Sequence, residues 1–146
     1  MKEVDLFLAT EQKNIEKEFV QHTLQILLDY EGPFGVTLLV NCLLGLIVLP
    51  RERGFIYIAE RDNLQFEDLG IADEDIRSWG KFKDKERTVA RFLGCMRNSI
   101  AHVHIESISE SGEIESLLFI DKSGFEAVLS IEKIKGMVIK LAGQIQ

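Results

Sequence analysis

The chain has 146 residues, of which 46% are hydrophobic and 28% charged. That is enough apolar material for one domain over residues 1–146, and it excludes wholesale disorder. Seventeen Lys and Arg face 24 Asp and Glu, a net charge of -7, which is the wrong balance for a protein that coats nucleic acid by neutralising phosphates.

Residues 1–10 carry Glu3 and Asp5 and lack a basic start followed by a long apolar run, so they do not read as a signal peptide. The first helical pattern spans residues 10–30. Ile15, Phe19, Ile26, Leu27 and Tyr30 recur at offsets of three, four and seven and share one face. Gly32-Pro33 breaks the chain. An apolar stretch then runs over residues 34–49 to Pro50. As a helix it would measure roughly 24 Å at about 1.5 Å per residue, short of the about 30 Å of a bilayer core. It contains Thr37 and Asn41 and reads as a buried central helix, not a membrane anchor. Residues 55–58 extend the helical region. Residues 63–80 read as an irregular excursion with a short helical piece over 72–79.

The next helix is expected over residues 84–102. Val89, Phe92, Leu93, Met96, Ile100 and Val103 form its core stripe. Beyond it the period shortens to two, and residues 103–109, 114–121 and 125–130 read as three strands. Ser111-Gly112 and Ser123-Gly124 supply the turns. Ser130 is an N-cap for a final helix over 131–144, with Ile134, Val138 and Leu141 inward. The fold class expected is mostly α: a helical bundle with a small C-terminal antiparallel β-meander and a closing helix. Cys42 and Cys95 lie in apolar stretches without CxxC spacing or a His at ligand spacing. They read as buried thiols of a reducing, cytoplasmic compartment, with no disulfide framework and no zinc site.

The helix over 84–102 has an unusual outer half. Where a solvated helix would show Glu, Lys and Gln, this one carries Arg87, Arg91, Gly94, Asn98, Ala101 and His102. Small residues let another backbone approach, so this face is expected to meet a second copy across a two-fold axis through Gly94, Asn98 and Ala101. Arg97 and His102 stand about 140° apart on an ideal helix and do not meet within it, whereas Asn98 and His102 share a face. Two antiparallel copies would gather two Asn, two His and two Arg in one cleft. That set suits phosphodiester chemistry: an imidazole gives or takes a proton near neutral pH, and a guanidinium stabilises the added negative charge. The chemistry needs no metal or cofactor.

The run Arg97-Asn98-Ser99-Ile100-Ala101-His102, late in a helix of a small bundle, resembles the signature of the HEPN family: an Arg, a polar residue, three more residues, then His. The preceding helices and the stretch NCLLGLIVLP resemble compact single-domain members, so the likeness covers most of the chain. The resemblance implies a dimeric, metal-independent endoribonuclease, with toxin or phage-defence roles and an antitoxin protein as a further partner. It makes His102 the acid-base residue, Arg97 the phosphate-stabilising residue and Asn98 the supporting polar residue. RNA is the implied substrate, with Arg87, Arg91 and His104 as additional contacts. Members paired with a nucleotidyltransferase antitoxin often carry Tyr two residues after the His. This chain has His104 there, so the resemblance does not extend to that mode of neutralisation.

Plainer readings stand beside these. His102 at a helix end also satisfies the helix dipole, Arg97 also suits an ion pair with Glu106, and Asn98 also suits a cap or an interhelical bridge. His104 suits a structural position, and His22 and Asn41 suit packing roles. Lys81, Lys83 and Lys85 fit a solvated loop or an RNA path. For the whole chain, the alternatives to an enzyme are a non-catalytic module binding RNA, nucleotide or protein, and a structural helical protein. Charge distribution favours RNA at one place: residues 77–97 hold seven basic and two acidic side chains, while the rest of the chain carries the acidic excess.

Overall fold

The computed structural model describes residues 18, 21–23, 25, 26, 29, 39, 55–109, 112 and 114–144. Most of the helices expected over 10–30 and 34–49 lie outside the described residues, as do Asn41 and Cys42. Of the described positions there, residues 18, 21–23, 25, 26, 29 and 39 are helical, and Leu39 is fully buried. Ile26, expected to face inward, is 55% exposed. His22 is exposed as well, against the packing role read for it.

Helix α1 spans Phe55–Arg61 and buries Phe55, Ile58 and Ala59. It ends on Asn63 in the left-handed region (φ 48°), with the amide of Leu64 bonded to the Ala59 carbonyl at 3.0 Å. This is a Schellman-type stop, and Asn tolerates it. Two 3-10 turns follow, Phe66–Leu69 and Asp73–Asp75. Strand β1, Ile76–Trp79, comes next. After a third 3-10 turn at Asp84–Glu86, helix α2 runs Val89–Ala101, capped by Thr88, whose side chain accepts from the Arg91 amide at 3.1 Å. Strands β2 (Ile105–Ser109), β3 (Ile114–Ile120) and β4 (Phe125–Ser130) lead into helix α3 (Ile131–Gly143). Ser130 caps α3 as expected, accepting from the Lys133 amide at 3.1 Å.

The sheet corrects the expected fold class. Its four strands lie in the order β1-β4-β3-β2, all antiparallel where paired. With helices packed against one face, the fold is α+β and not mostly α. The three C-terminal strands stand where the period-two pattern placed them. The fourth is the segment expected to hold a helical piece at 72–79. Asp73-Glu74-Asp75 resembles the acidic first turn of a helix, and there it makes a single 3-10 turn. The next four residues pair with the free edge of β4, Ile76 opposite Ala127 and Trp79 opposite Phe125, with a bulge between. That edge arrives about fifty residues later in the chain, and tertiary pairing of this kind overrides local preference.

The core lies between the inner face of the sheet and α2 and α3. Alternate residues of β4 (Phe125, Ala127 and Leu129) are fully buried, as are Phe119 of β3 and Ile134, Val138 and Leu141 of α3. From α2 come Val89, Phe92, Leu93, Met96 and Ile100, the expected stripe. Val103 departs from that stripe: it lies beyond the helix and is 79% exposed. Four aromatic rings close a circuit, Phe66 to Trp79 to Phe125 to Phe92 and back, each pair edge-to-face with centroids 5.5–5.9 Å apart. This circuit ties the 3-10 segment and β1 to α2. Gly80 (φ 60°) and Gly124 (φ 93°) meet backbone to backbone at the open end of β1 and β4. A Cβ on Gly80 would stand 2.1 Å from the Ser123 carbonyl oxygen, so only glycine fits there.

Candidate active site

Helix α2 enters the core with its apolar face and turns its other side outward. Arg91, Arg97, Ala101 and His102 are exposed, and Gly94 and Asn98 are half-buried. Arg91, Gly94, Arg97 and Asn98 line one wall of a groove of about 330 Å³, with Phe82 and Asp121 also lining it. The Arg91 guanidinium lies 4.6 Å from the centroid of the Phe82 ring, a cation–π contact that holds its charge beside the groove. Arg97 makes no ion pair among the described residues, and Glu106 does not reach it. Its guanidinium is therefore uncommitted among the described residues.

The other predicted contacts divide. Arg87 does not join this groove. Its Nε donates to the Phe82 carbonyl at 3.1 Å, and it pairs with Asp84 at 3.1 Å, so it braces the approach to α2. It lines depressions on another side, with Trp79 and Phe66 and with Thr88 and Gln65. His102 is the C-cap of α2 and stands outside the groove lining. His104 is close to it, with ring centroids 6.2 Å apart and planes inclined by 36°. Within one chain, then, Arg97 and Asn98 share the groove while His102 and His104 form a separate pair at the end of the helix.

The helix end is built by backbone geometry. The Val103 amide donates to the Ile100 carbonyl at 3.2 Å, and the His104 amide to the Ser99 carbonyl at 2.8 Å. This is a Schellman motif. Its left-handed position, usually glycine, is Val103 at φ 57°, and a β-branched residue there is strained. The His104 carbonyl in turn accepts from the Ile120 amide at 3.1 Å, fixing the residue to β3 as well as to α2. Inside the motif, Ser99 is fully buried. Its hydroxyl lies 2.9 Å from the Cys95 carbonyl and 2.8 Å from the Ile120 carbonyl, so one proton is shared between helix and sheet.

Asp121 is the residue that sequence reasoning missed. Burial pushes its carboxyl pKa up, but hydrogen bonds more than offset this: the Ser123 hydroxyl, the amides of Ser123 and Lys122, and the Asn98 side chain. The Ser123 hydroxyl stands 2.7 Å from it. The net shift is downward, so Asp121 is ionised at neutral pH, and it lines the groove together with Asn98. No sequence signal marks the pair, since the two residues are far apart in the chain and meet only where β3 ends beside α2. Behind them Cys95 is buried, and desolvation, helped by the nearby Asp121 charge, raises its thiol pKa to about 11. Among the described residues no cluster of His, Cys, Asp or Glu gathers to hold a metal ion. No helix among them is long and apolar enough to cross a membrane.

The family model described as HEPN pEK499 p136 matches the chain over residues 1–146. No curated protein and no solved structure matches it.

Proposed function

The chain belongs to the HEPN family, in the group described as HEPN pEK499 p136, and from that premise we propose that it is a metal-independent endoribonuclease working as a homodimer. The observation that carries this reading is the division of α2: an uncommitted Arg97 with Asn98 in a groove, and His102 beyond the groove at the helix end. In this reading the guanidinium and the imidazole of one chain do not serve the same phosphate, and a second antiparallel copy supplies what the first lacks. Gly94 supports such an approach, because a Cβ placed there meets nothing within 4 Å among the described residues. Here His102 moves the proton, Arg97 stabilises the charge on phosphorus and Asn98, which lines the groove with Asp121, positions the ribose or phosphate. Arg91 contributes a further backbone contact. The ribose 2′-hydroxyl attacks the adjacent phosphate and leaves a cyclic phosphate and a 5′-hydroxyl. A toxin or phage-defence role, with an antitoxin partner, accords with the chemistry.

The test is the purified chain with labelled RNA in EDTA, beside His102→Ala and Arg97→Ala. Cleavage is expected to persist in EDTA and to fall by at least about 100-fold in each variant. Loss of activity in EDTA, or full activity in His102→Ala, sinks the mechanism. The confinement of Arg91, Arg97 and Asn98 to a groove without His102 favours a second reading, a module that binds RNA without cutting it. A stable RNA complex with no turnover would select that reading. Growth arrest on expression that requires both Arg97 and His102 would select the enzyme.

A further inference from the structure

We propose that His104 is a catalytic residue and that His102 and His104 of one protomer form an acid–base couple acting on the same phosphodiester. The inference rests on the nuclease reading above and adds to it a second proton-transfer group.

The two imidazoles are exposed and 6.2 Å apart between centroids. That is too far for them to bond each other as their main contact, and close enough for both to reach one phosphodiester, since an acid or base acts over about 2.6–3.2 Å. Neither ring makes a hydrogen bond or an ion pair among the described residues. The charged side chains on the flanking segments are Arg97 on α2, Glu106 on β2, and Asp121 and Lys122 just past β3, and none is paired with either ring. Placement of the pair is over-determined. The His104 backbone is bonded to Ser99 of α2 through its amide and to Ile120 of β3 through its carbonyl. The connection between the two residues turns through Val103 at φ 57°. With Val103 in this conformation, the two rings stand 6.2 Å apart between centroids. A non-glycine residue in that conformation costs about 1–2 kcal/mol, and such strain persists where surrounding structure enforces it, often at functional sites.

The step balances with one imidazole neutral and the other protonated. The neutral ring takes the proton of the 2′-hydroxyl as its oxygen bonds to phosphorus. The bond from phosphorus to the 5′-oxygen breaks, and the protonated ring gives its proton to that oxygen. The couple ends with its proton exchanged between rings and resets through solvent.

The experiment uses the full chain, with His102→Gln and His104→Gln, assayed on labelled RNA from about pH 5 to about pH 9. In parallel, the imidazole proton resonances of the wild type are followed by NMR as an uncleavable 2′-O-methyl RNA is added. The wild type is expected to give a bell-shaped profile. Each variant should lose a different limb of it, with kcat/KM reduced by at least about 100-fold, and both imidazoles should shift on binding. A purely structural His104 would lower the amplitude and leave both limbs. If the wild type cleaves and His104→Gln keeps both limbs at a similar rate, or if only His102 responds to the RNA, the couple is overturned and the nuclease reading stands. No cleavage by the wild type overturns both.

Discussion

Val103 holds a β-branched side chain at φ 57°, in the left-handed region. Helix α1 ends on Asn63 in the left-handed region and α2 ends on Val103 in the same region. Asn accepts that conformation readily, and a β-branched residue does not. Val103→Gly should therefore raise stability by about 0.5–1 kcal/mol, the relief of left-handed strain less the entropy glycine loses on folding. Thermal unfolding checks the sign. Cys95 gives a second prediction at this scale. Its thiol pKa is raised in the folded chain from an ordinary 9.0 to about 11, so the native state holds the proton that the unfolded state releases. The associated stability is fully present below about pH 9 and is lost as pH rises towards 11. Alkylation of Cys95, followed by peptide mass mapping, should be slow in the native protein near pH 8 and fast after unfolding. The motif singles out Arg97, Asn98 and His102, and of these Arg97 and Asn98 line the groove while His102 stands at the helix end. Asp121 has no such signal, because it joins the groove only once the end of β3 lies beside α2. Arg87 shares an outer-face pattern with Arg91, yet it precedes the first turn of α2 and is spent on Phe82 and Asp84.

Among the elements, α2 was readable on both faces, since its apolar stripe recurs with helical period and its outer face is short of ordinary solvating residues. Its glycine yields a prediction. Gly94 is helical with open space over its Cα among the described residues, so Gly94→Ala should stabilise the isolated protomer by about 1 kcal/mol through helix propensity. A bulky Gly94→Trp should leave the protomer folded and abolish the proposed dimer, and analytical ultracentrifugation of the two variants separates the outcomes. Strands β2, β3 and β4 were readable from alternation and from Gly112 and Gly124 in the turns. Strand β1 was not. Its four residues, flanked by acidic and turn residues, have no periodicity of their own, and it is a strand only because the edge of β4 is available and the Gly80–Gly124 contact holds the two chain segments together.

At the scale of the whole molecule, charge is distributed unevenly. Residues 77–97 concentrate basic side chains within a chain of net charge -7. Not all of them are free: Arg87 is paired with Asp84, and Lys81 and Arg91 lie over Phe82. On the proposed RNA-binding reading, affinity should therefore fall only modestly with salt, with a slope for two or three phosphates per protomer at about 0.7 per contact on a single strand. Filter binding over a range of salt concentrations tests this, and a steep slope would contradict a localised site. The aromatic circuit has a use in such experiments. Trp79 is the chain's single tryptophan, and it lies edge-on to Phe66 and Phe125, whose other neighbour in the circuit is Phe92 on α2. Its ultraviolet emission is thus an intrinsic optical gauge of how firmly α2 is seated on the sheet. A dye-free titration can separate ligands that merely settle on the outer face, leaving the spectrum in place, from those that lever the helix and shift it.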